Sequence, residues 1–98
     1  MDDTIVYLSP STRSGKKWMV EIDGKTVHFG ASGYEDYTMH GDDKRKDSYI
    51  ARHSSREDWN DPHTAGFWSR WLLWNKPTIE ESIEDIERHY TLNIKWND

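Results

Sequence analysis

A run of basic and aromatic residues between positions 44 and 59 has the types and the spacing of a phosphate-binding surface. Four of its members fall at i, i+4, i+7 and i+11 and so share one face of a helix: Arg45, Tyr49, Arg52 and Arg56. Guanidinium groups bind phosphate through charge and a planar fork of donors, and aromatic rings stack on bases. The sequence therefore predicts nucleic-acid contacts from Lys44, Arg45, Lys46, Tyr49, Arg52, His53, Arg56, Trp59 and Arg70.

The same stripe is also typical of a solvated helix face. Basic residues of such a face commonly pair with acids nearby, and Asp47, Glu57 and Asp58 are close in the sequence. On that interpretation the stripe keeps the helix in water and contacts no ligand.

Arg70 lies in the most aromatic segment of the chain, GFWSRWLLW at 66–74. On an ideal helix Ser69 and Arg70 occupy two narrow sectors and apolar side chains cover the rest, so we expect this helix to be buried on most sides. A guanidinium among indoles keeps its charge and requires a carboxylate or a phosphate. Arg70 is accordingly predicted to form a salt bridge, for example with the acidic C-terminal helix, or to bind an anion.

Enzymatic and metal chemistry receive little support from the sequence. The chain has no cysteine, which excludes thiolate zinc sites and cysteine nucleophiles. The histidine spacings match neither an H-E-x-x-H helix nor a zinc finger. A nuclease that uses His53 or His63 as a base remains an alternative. We therefore expect a non-enzymatic protein with no catalytic residue, metal or cofactor.

Composition and charge favour one small folded domain over residues 1–98. Six Trp, five Tyr and two Phe supply the apolar area for a core despite 32% charged residues. The net charge of −5 is uneven, because residues 44–76 carry seven Lys/Arg against four Asp/Glu. The middle of the chain is thus suited to an anion that the whole protein repels. No apolar run approaches a membrane span, so we expect an intracellular, unexported protein without membrane contact.

The clearest local signal is a hairpin over Lys17–Gly30, with Asp23-Gly24 as a type I′ turn. Pairing Ile22 with Lys25 places the large apolar residues of both strands on one face. Alternating residues at 4–8 and 92–96 predict one N-terminal and one C-terminal strand.

Three helices are predicted in the sequence, and two or three of them are expected to pack on these strands. One begins at Asp42 or Asp43 and runs to about His53, and the aromatic helix spans about 64–75. Thr78 and Glu81 form a capping box that opens an acidic helix with one apolar stripe. The sum is an α+β fold in which a small antiparallel sheet, the hairpin 17–30 plus the two terminal strands, is packed by two or three helices.

The segments HFGASGYEDYTMH, KRKDSYIARH, REDW and TAGFWSRWLLWNKPTI carry a family resemblance. Over roughly His28–Ile86 the chain resembles a family of small uncharacterised proteins of nucleocytoplasmic large DNA viruses and tailed phages. The resemblance implies a viral origin, with a place in the infected cell, in cytoplasm or nucleus, or in the virion. It assigns no catalytic or binding role to any residue.

Three functional hypotheses follow. The first is a viral accessory protein that binds DNA or RNA through the basic and aromatic helix face. The second is a virion or assembly protein whose aromatic surface contacts a viral structural protein. The third is a small-nucleotide binder that uses Arg70 and the indoles as a pocket.

Overall fold

A computed structural model describes residues 3–96 as a four-stranded sheet with helices packed on one face. The strands are β1 (Thr4–Pro10), β2 (Lys16–Ile22), β3 (Lys25–Ala31) and β4 (Leu92–Trp96), in the spatial order β3-β2-β1-β4. The predicted α+β class is confirmed.

The hairpin forms in the predicted register. Ile22 pairs with Lys25, and Trp18 lies opposite Phe29. Asp23 and Gly24 have φ angles of 49° and 76°, the two positive values that a type I′ turn requires.

The sheet is mixed, and in this respect the predicted antiparallel arrangement is wrong for one pair of strands. β1 is antiparallel to β2, whereas β1 and β4 run parallel, with Thr4 opposite Leu92 and Leu8 opposite Trp96. Parallel neighbours require a long crossover connection. The helical segment between β3 and β4 provides it, because it crosses the sheet and returns the chain beside β1 in the same direction.

Four helical elements lie between β3 and β4. The first two are α1 (Tyr37–His40) and α2 (Asp43–His53). Next comes α3 (Ala65–Trp68), which continues as a π-helical segment (Ser69–Leu73), and the last is α4 (Ile79–His89).

The helices start at the capping residues that the sequence indicates. Asp42 caps α2 by accepting hydrogen bonds from the backbone N–H groups of Lys44 and Arg45. At α4, the Thr78 hydroxyl accepts from the Glu81 backbone N–H and donates to the Glu81 carboxylate. The predicted helix starts are therefore confirmed.

The core lies between the sheet and the aromatic segment. Phe67, Trp68 and Leu72 are fully buried against Val20, Phe29 and other inward residues of the sheet. Trp18, Trp71, Trp74 and Trp96 pack around this core with part of their surface exposed. On the outer face of the sheet, Ile5 and Tyr7 are 46% and 55% exposed. No helix of residues 3–96 has the length and apolarity that crossing a membrane requires.

Candidate nucleic-acid interface

The structure divides the predicted basic stripe into a buried part and an exposed part. Tyr49 is buried, Lys46 is half-buried, and Arg45 and Arg52 are exposed on α2. Arg56 lies beyond the end of α2, so the four-residue stripe does not continue along one helix. Of the four residues in the predicted stripe, Arg45 and Arg52 are therefore the two that are exposed on α2.

Tyr49 faces the inside of the protein, whereas a residue that stacks on bases has to be exposed. Its ring is stacked on Trp74 at a centroid distance of 4.6 Å and an interplanar angle of 3°, and on His53 at 4.4 Å. Burial raises the pKa of the Tyr49 hydroxyl. The residue serves as packing between α2 and the aromatic segment.

Trp59 and His53 are also held by neighbours in the protein. The Trp59 indole donates to the Glu57 carboxylate over 2.7 Å. The backbone carbonyl of Trp59 accepts from the Trp71 indole over 2.7 Å. His53 lies 3.4 Å from the same Glu57 carboxylate. Neither ring extends from the surface as a free stacking platform.

Lys46 reaches back into the protein. Its ammonium group donates to the Asn75 carbonyl over 2.7 Å and lies over the Tyr37 ring at 4.9 Å. Burial, followed by the charges of Arg70 and Lys76, lowers the pKa of Lys46. We therefore assign Lys46 to the attachment of α2 to the aromatic segment.

Arg70 is enclosed by tryptophans, and no carboxylate of residues 3–96 lies within 4.0 Å of its nitrogens. The predicted salt bridge is absent there. Its guanidinium lies 4.3 Å from the Trp71 ring and 5.5 Å from the Trp59 ring, and Nη1 donates to the Trp74 carbonyl over 2.8 Å. Burial lowers the pKa of Arg70, but the ordinary value is high enough for the group to stay charged.

Arg70 and Trp71 both lie in the π-helical segment. The Trp74 N–H donates to the Ser69 carbonyl over 3.1 Å, five residues back, so the turn is wider than an α-helical turn. The wider turn places Trp74 against α2 while Arg70 remains beside Trp71. Periodicity at 3.6 residues cannot predict such a turn.

The exposed arginines of α2 instead line a groove with two aromatic residues that the stripe did not include. The α2 groove, as we name it, has a volume of about 270 Å³ and is formed by Tyr34, Glu35, Arg45, Ser48, Arg52 and Trp74. Tyr34 is 73% exposed, and Arg45 forms an exposed ion pair with Glu35 at 3.3 Å. Two guanidinium groups and two aromatic rings thus meet at one surface.

The sequence offered only a weak signal for Tyr34. The residue follows Gly33, which has a φ of 85°, in an irregular segment between β3 and α1. An aromatic residue in such a segment is compatible with a packed or an exposed position. The tertiary fold places Tyr34 beside Arg45 and Arg52 of α2, and local sequence does not indicate this.

The charges of α2 are separated around the helix. At about 100° per residue, Arg45, Ser48 and Arg52 lie within about 60° of one another, whereas Asp43 and Asp47 lie on a different side. Lys44 is exposed near the basic side. The α2 groove therefore presents a locally positive surface on a protein of net charge −5.

The structure also reveals a histidine link outside the groove. His63 Nε2 lies 2.8 Å from Asp23 of the hairpin turn, and Nδ1 lies 3.0 Å from Asp61. These hydrogen bonds, that to Asp23 first, raise the pKa of His63. The backbone and side-chain hydrogen bonds from His63 lower the pKa of Asp61. Protonated His63 therefore ties the hairpin turn to the segment before α3.

We predict that this link makes stability depend on pH. A raised folded-state pKa contributes stability that is fully present below the unfolded value of about 6.5 and is lost as pH rises through the folded value. His63→Gln should therefore destabilise the protein more at about pH 5.5 than at about pH 8.5. Urea denaturation followed by circular dichroism measures the difference.

Asp23→Asn is the matched control, because it removes the first cause of the raised His63 pKa. In that background the pH dependence of the His63→Gln effect should shrink. An effect of the same size at both pH values in the original background would show that the link does not titrate.

Among residues 3–96, no group of three or more His, Asp or Glu side chains is placed to hold a metal ion. His53 and His63, the histidines of the nuclease alternative, instead contact Glu57 and the Asp23–Asp61 pair, respectively.

Fold and site together define a small α+β protein with a basic and aromatic surface groove. Residues 6–53 match the model of a family of unknown function, DUF5754. The match begins within β1 and runs to the end of α2, so it includes Tyr34, Arg45 and Arg52 and ends before the aromatic segment. No curated protein and no solved structure matches the chain.

Proposed function

We propose that the protein is a non-enzymatic accessory protein that binds a single-stranded stretch of nucleic acid in the α2 groove. The observation that carries the proposal is the meeting of Arg45 and Arg52 with Tyr34 and Trp74 in one open groove. Positive charge that follows the backbone, combined with rings that stack on bases, is the usual chemistry of single-strand binding.

The two arginines are suited to separate phosphates. Seven residues of α-helix span about 10 Å, so Arg45 and Arg52 are too far apart along the axis to grip one phosphate in the same way. Both side chains are exposed, and each has one weak contact in the protein, Arg45 with the Glu35 carboxylate over 3.3 Å and Arg52 with the Ser48 carbonyl over 3.4 Å. Each can offer a fork of N–H donors to a phosphate oxygen pair.

Tyr34 supplies the stacking surface that Tyr49 cannot. With 73% of its surface exposed, it has a ring face available to an unpaired base. A base in a duplex has both faces covered by its neighbours, so stacking on Tyr34 favours a single strand.

Glu35 is the local competitor for the phosphate. Its ion pair with Arg45 spans 3.3 Å, and the side chains are 47% and 56% exposed for Arg45 and Glu35, respectively. Exposed pairs contribute only about 0–1 kcal/mol, so a phosphate can replace the carboxylate at little cost.

We predict that Arg45→Glu combined with Arg52→Glu abolishes binding at low salt. The two changes replace attraction to phosphate by repulsion, and binding by the original protein should weaken with salt by a slope of about −0.7 per neutralised phosphate. Tyr34→Ala should lower affinity by about 5-fold to 150-fold without changing the salt slope. Fluorescence anisotropy with labelled oligothymidylate, oligouridylate and a duplex measures these effects.

Arg13→Glu with Arg88→Glu is the matched control. Both residues are exposed and lie outside the α2 groove. This double variant changes the net charge of the protein by the same amount as Arg45→Glu with Arg52→Glu. This control should retain most of the affinity. Equal losses in the two double variants, or no binding of the original protein to any oligonucleotide, would refute the proposal.

The other two hypotheses are a small-nucleotide binder and a virion or assembly protein. Arg70 is engaged by Trp59, Trp71 and the Trp74 carbonyl, which favours a structural role over nucleotide phosphate binding. A place in the virion, or elsewhere in an infected cell, stays a prediction of the family resemblance. Quantification of the protein in purified particles tests it.

A further inference from the structure

A second concave site lies between α4 and the π-helical segment. The Trp71 pocket, as we name it, has a volume of about 280 Å³ and is lined by Trp71, Asp85, Ile86, His89 and Tyr90. This is slightly below the volumes of about 300–1,000 Å³ that are common for ligand pockets. The space is large enough for one side chain of a partner protein.

The two aromatic walls are held in place before any ligand arrives. The Trp71 and Tyr90 ring centroids are 6.4 Å apart at an interplanar angle of 54°, which makes an open wedge. The Trp71 indole donates to the Trp59 carbonyl over 2.7 Å, and the Tyr90 ring packs edge-to-face on Phe67 at 5.0 Å. Such fixed walls reduce the entropy cost of binding.

The charge around the pocket selects a cation. The helix α4 carries five acids against one arginine, namely Glu80, Glu81, Glu84, Asp85 and Glu87 against Arg88. Asp85 is the acid among them that lines the Trp71 pocket, and its charge repels phosphate and attracts basic groups there. The electrostatics of the Trp71 pocket are thus opposite to those of the α2 groove.

Asp85 is the charged group at the pocket itself. Its side chain is 14% exposed, accepts from the Asn75 amide over 2.8 Å and lies 3.3 Å from His89 Nδ1. A carboxylate offers about four acceptor positions, so these contacts leave capacity for another donor. The His89 side chain is 62% exposed and can move aside.

We propose that the Trp71 pocket binds an arginine side chain from a basic segment of a partner protein. Guanidinium is weakly hydrated, stacks on aromatic rings and forks onto carboxylates, so it matches Trp71, Tyr90 and Asp85 together. The protein already holds one guanidinium against this ring, since Arg70 lies 4.3 Å from the Trp71 ring. The Asp85 carboxylate offsets part of the repulsion between Arg70 and an incoming arginine.

This inference does not depend on nucleic-acid binding, because none of its residues lines the α2 groove. It gives the protein two surfaces of opposite charge. One is suited to a nucleic acid and the other to a basic protein segment.

The test uses the full chain and three short peptides that differ at one position. They are acetyl-Gly-Arg-Gly-amide, its lysine analogue and its citrulline analogue, which keeps the shape of arginine and lacks the charge. We expect the arginine peptide to shift the Trp71 indole resonance in ¹⁵N-edited NMR titrations, and the citrulline peptide to have little effect. Asp85→Asn should weaken arginine binding by about tenfold.

Glu84→Gln is the matched control, because it removes one negative charge from an exposed neighbour of Asp85 that does not line the pocket. It should change the affinity by less than about twofold. Equal effects of the two variants, equal binding of the citrulline or lysine peptide, or no shift of the Trp71 resonance would overturn the proposal. The ¹⁵N spectrum of Asp85→Asn without peptide, compared with that of the original protein, shows whether this variant is folded, so that a loss of binding can be assigned to the pocket.

Discussion

Replacing Trp68 by alanine is expected to destabilise the protein by about 3–5 kcal/mol. Trp68 has no exposed surface, packs against Phe29 and Phe67, and donates its indole N–H to the Pro62 carbonyl over 2.7 Å. The substitution leaves a large cavity and an unpaired carbonyl. Because domains of this size are stable by about 5–15 kcal/mol, the loss is a large fraction of the total.

Urea denaturation measures this effect. Trp68→Phe serves as the milder variant if Trp68→Ala does not fold, and it should lose less because it retains an aromatic ring in the core. Tyr34→Ala is the surface control and should stay within about 0.5 kcal/mol of the original protein. A loss below about 1 kcal/mol for Trp68→Ala would contradict the assignment of Trp68 to the centre of the core.

The second large effect is expected at Asp36, which is buried although it is charged. The carboxylate is 3% exposed, accepts from the Lys17 ammonium over 2.6 Å and caps α1 by accepting from the Thr38 backbone N–H over 3.0 Å. Its removal leaves Lys17 with a side-chain exposure of 17% and no carboxylate partner among the described residues. Asp36→Ala should therefore destabilise the protein by about 3–5 kcal/mol.

Asp36→Asn separates the two roles of this residue. Asparagine is a good N-cap, so this variant should keep the capping hydrogen bond and lose only the charge pairing with Lys17. A double-mutant cycle with Lys17→Met should then give a coupling free energy of about 1–3 kcal/mol. Glu35→Ala, which removes a neighbouring exposed acid, should cost at most about 1 kcal/mol.

Additive effects of Asp36→Asn and Lys17→Met would show that the ion pair contributes no net stability. In that case the capping hydrogen bond alone would explain the role of Asp36.

Local chemistry was enough to predict the hairpin and the helix starts. A type I′ turn depends on two adjacent residues that accept positive φ, here Asp23 and Gly24, and strand alternation then fixes the register. Capping likewise involves residues within one turn of each other, as at Asp42 and at Thr78. Such features need no knowledge of the rest of the fold.

The candidate site was predicted in part. Arg45 and Arg52 are exposed on the same side of α2, as the spacing indicates, but Tyr49, which lies between them in the sequence, is buried. An aromatic residue among arginines on a helix is compatible with a binding face or with the edge of a core. Its neighbours in space, Trp74 above all, decide between the two, and Trp74 comes from a different element.

The sequence by itself determined the α+β class, the hairpin register, the capping residues and the aromatic core, because each depends on local geometry or on hydrophobic burial. The tertiary structure alone decided the parallel pairing of β4 with β1, the burial of Tyr49 and the addition of Tyr34 to the α2 groove. It also decided the partners of Arg70. These features depend on contacts between residues distant in the chain, and their free energies exist only once the intervening segments have packed.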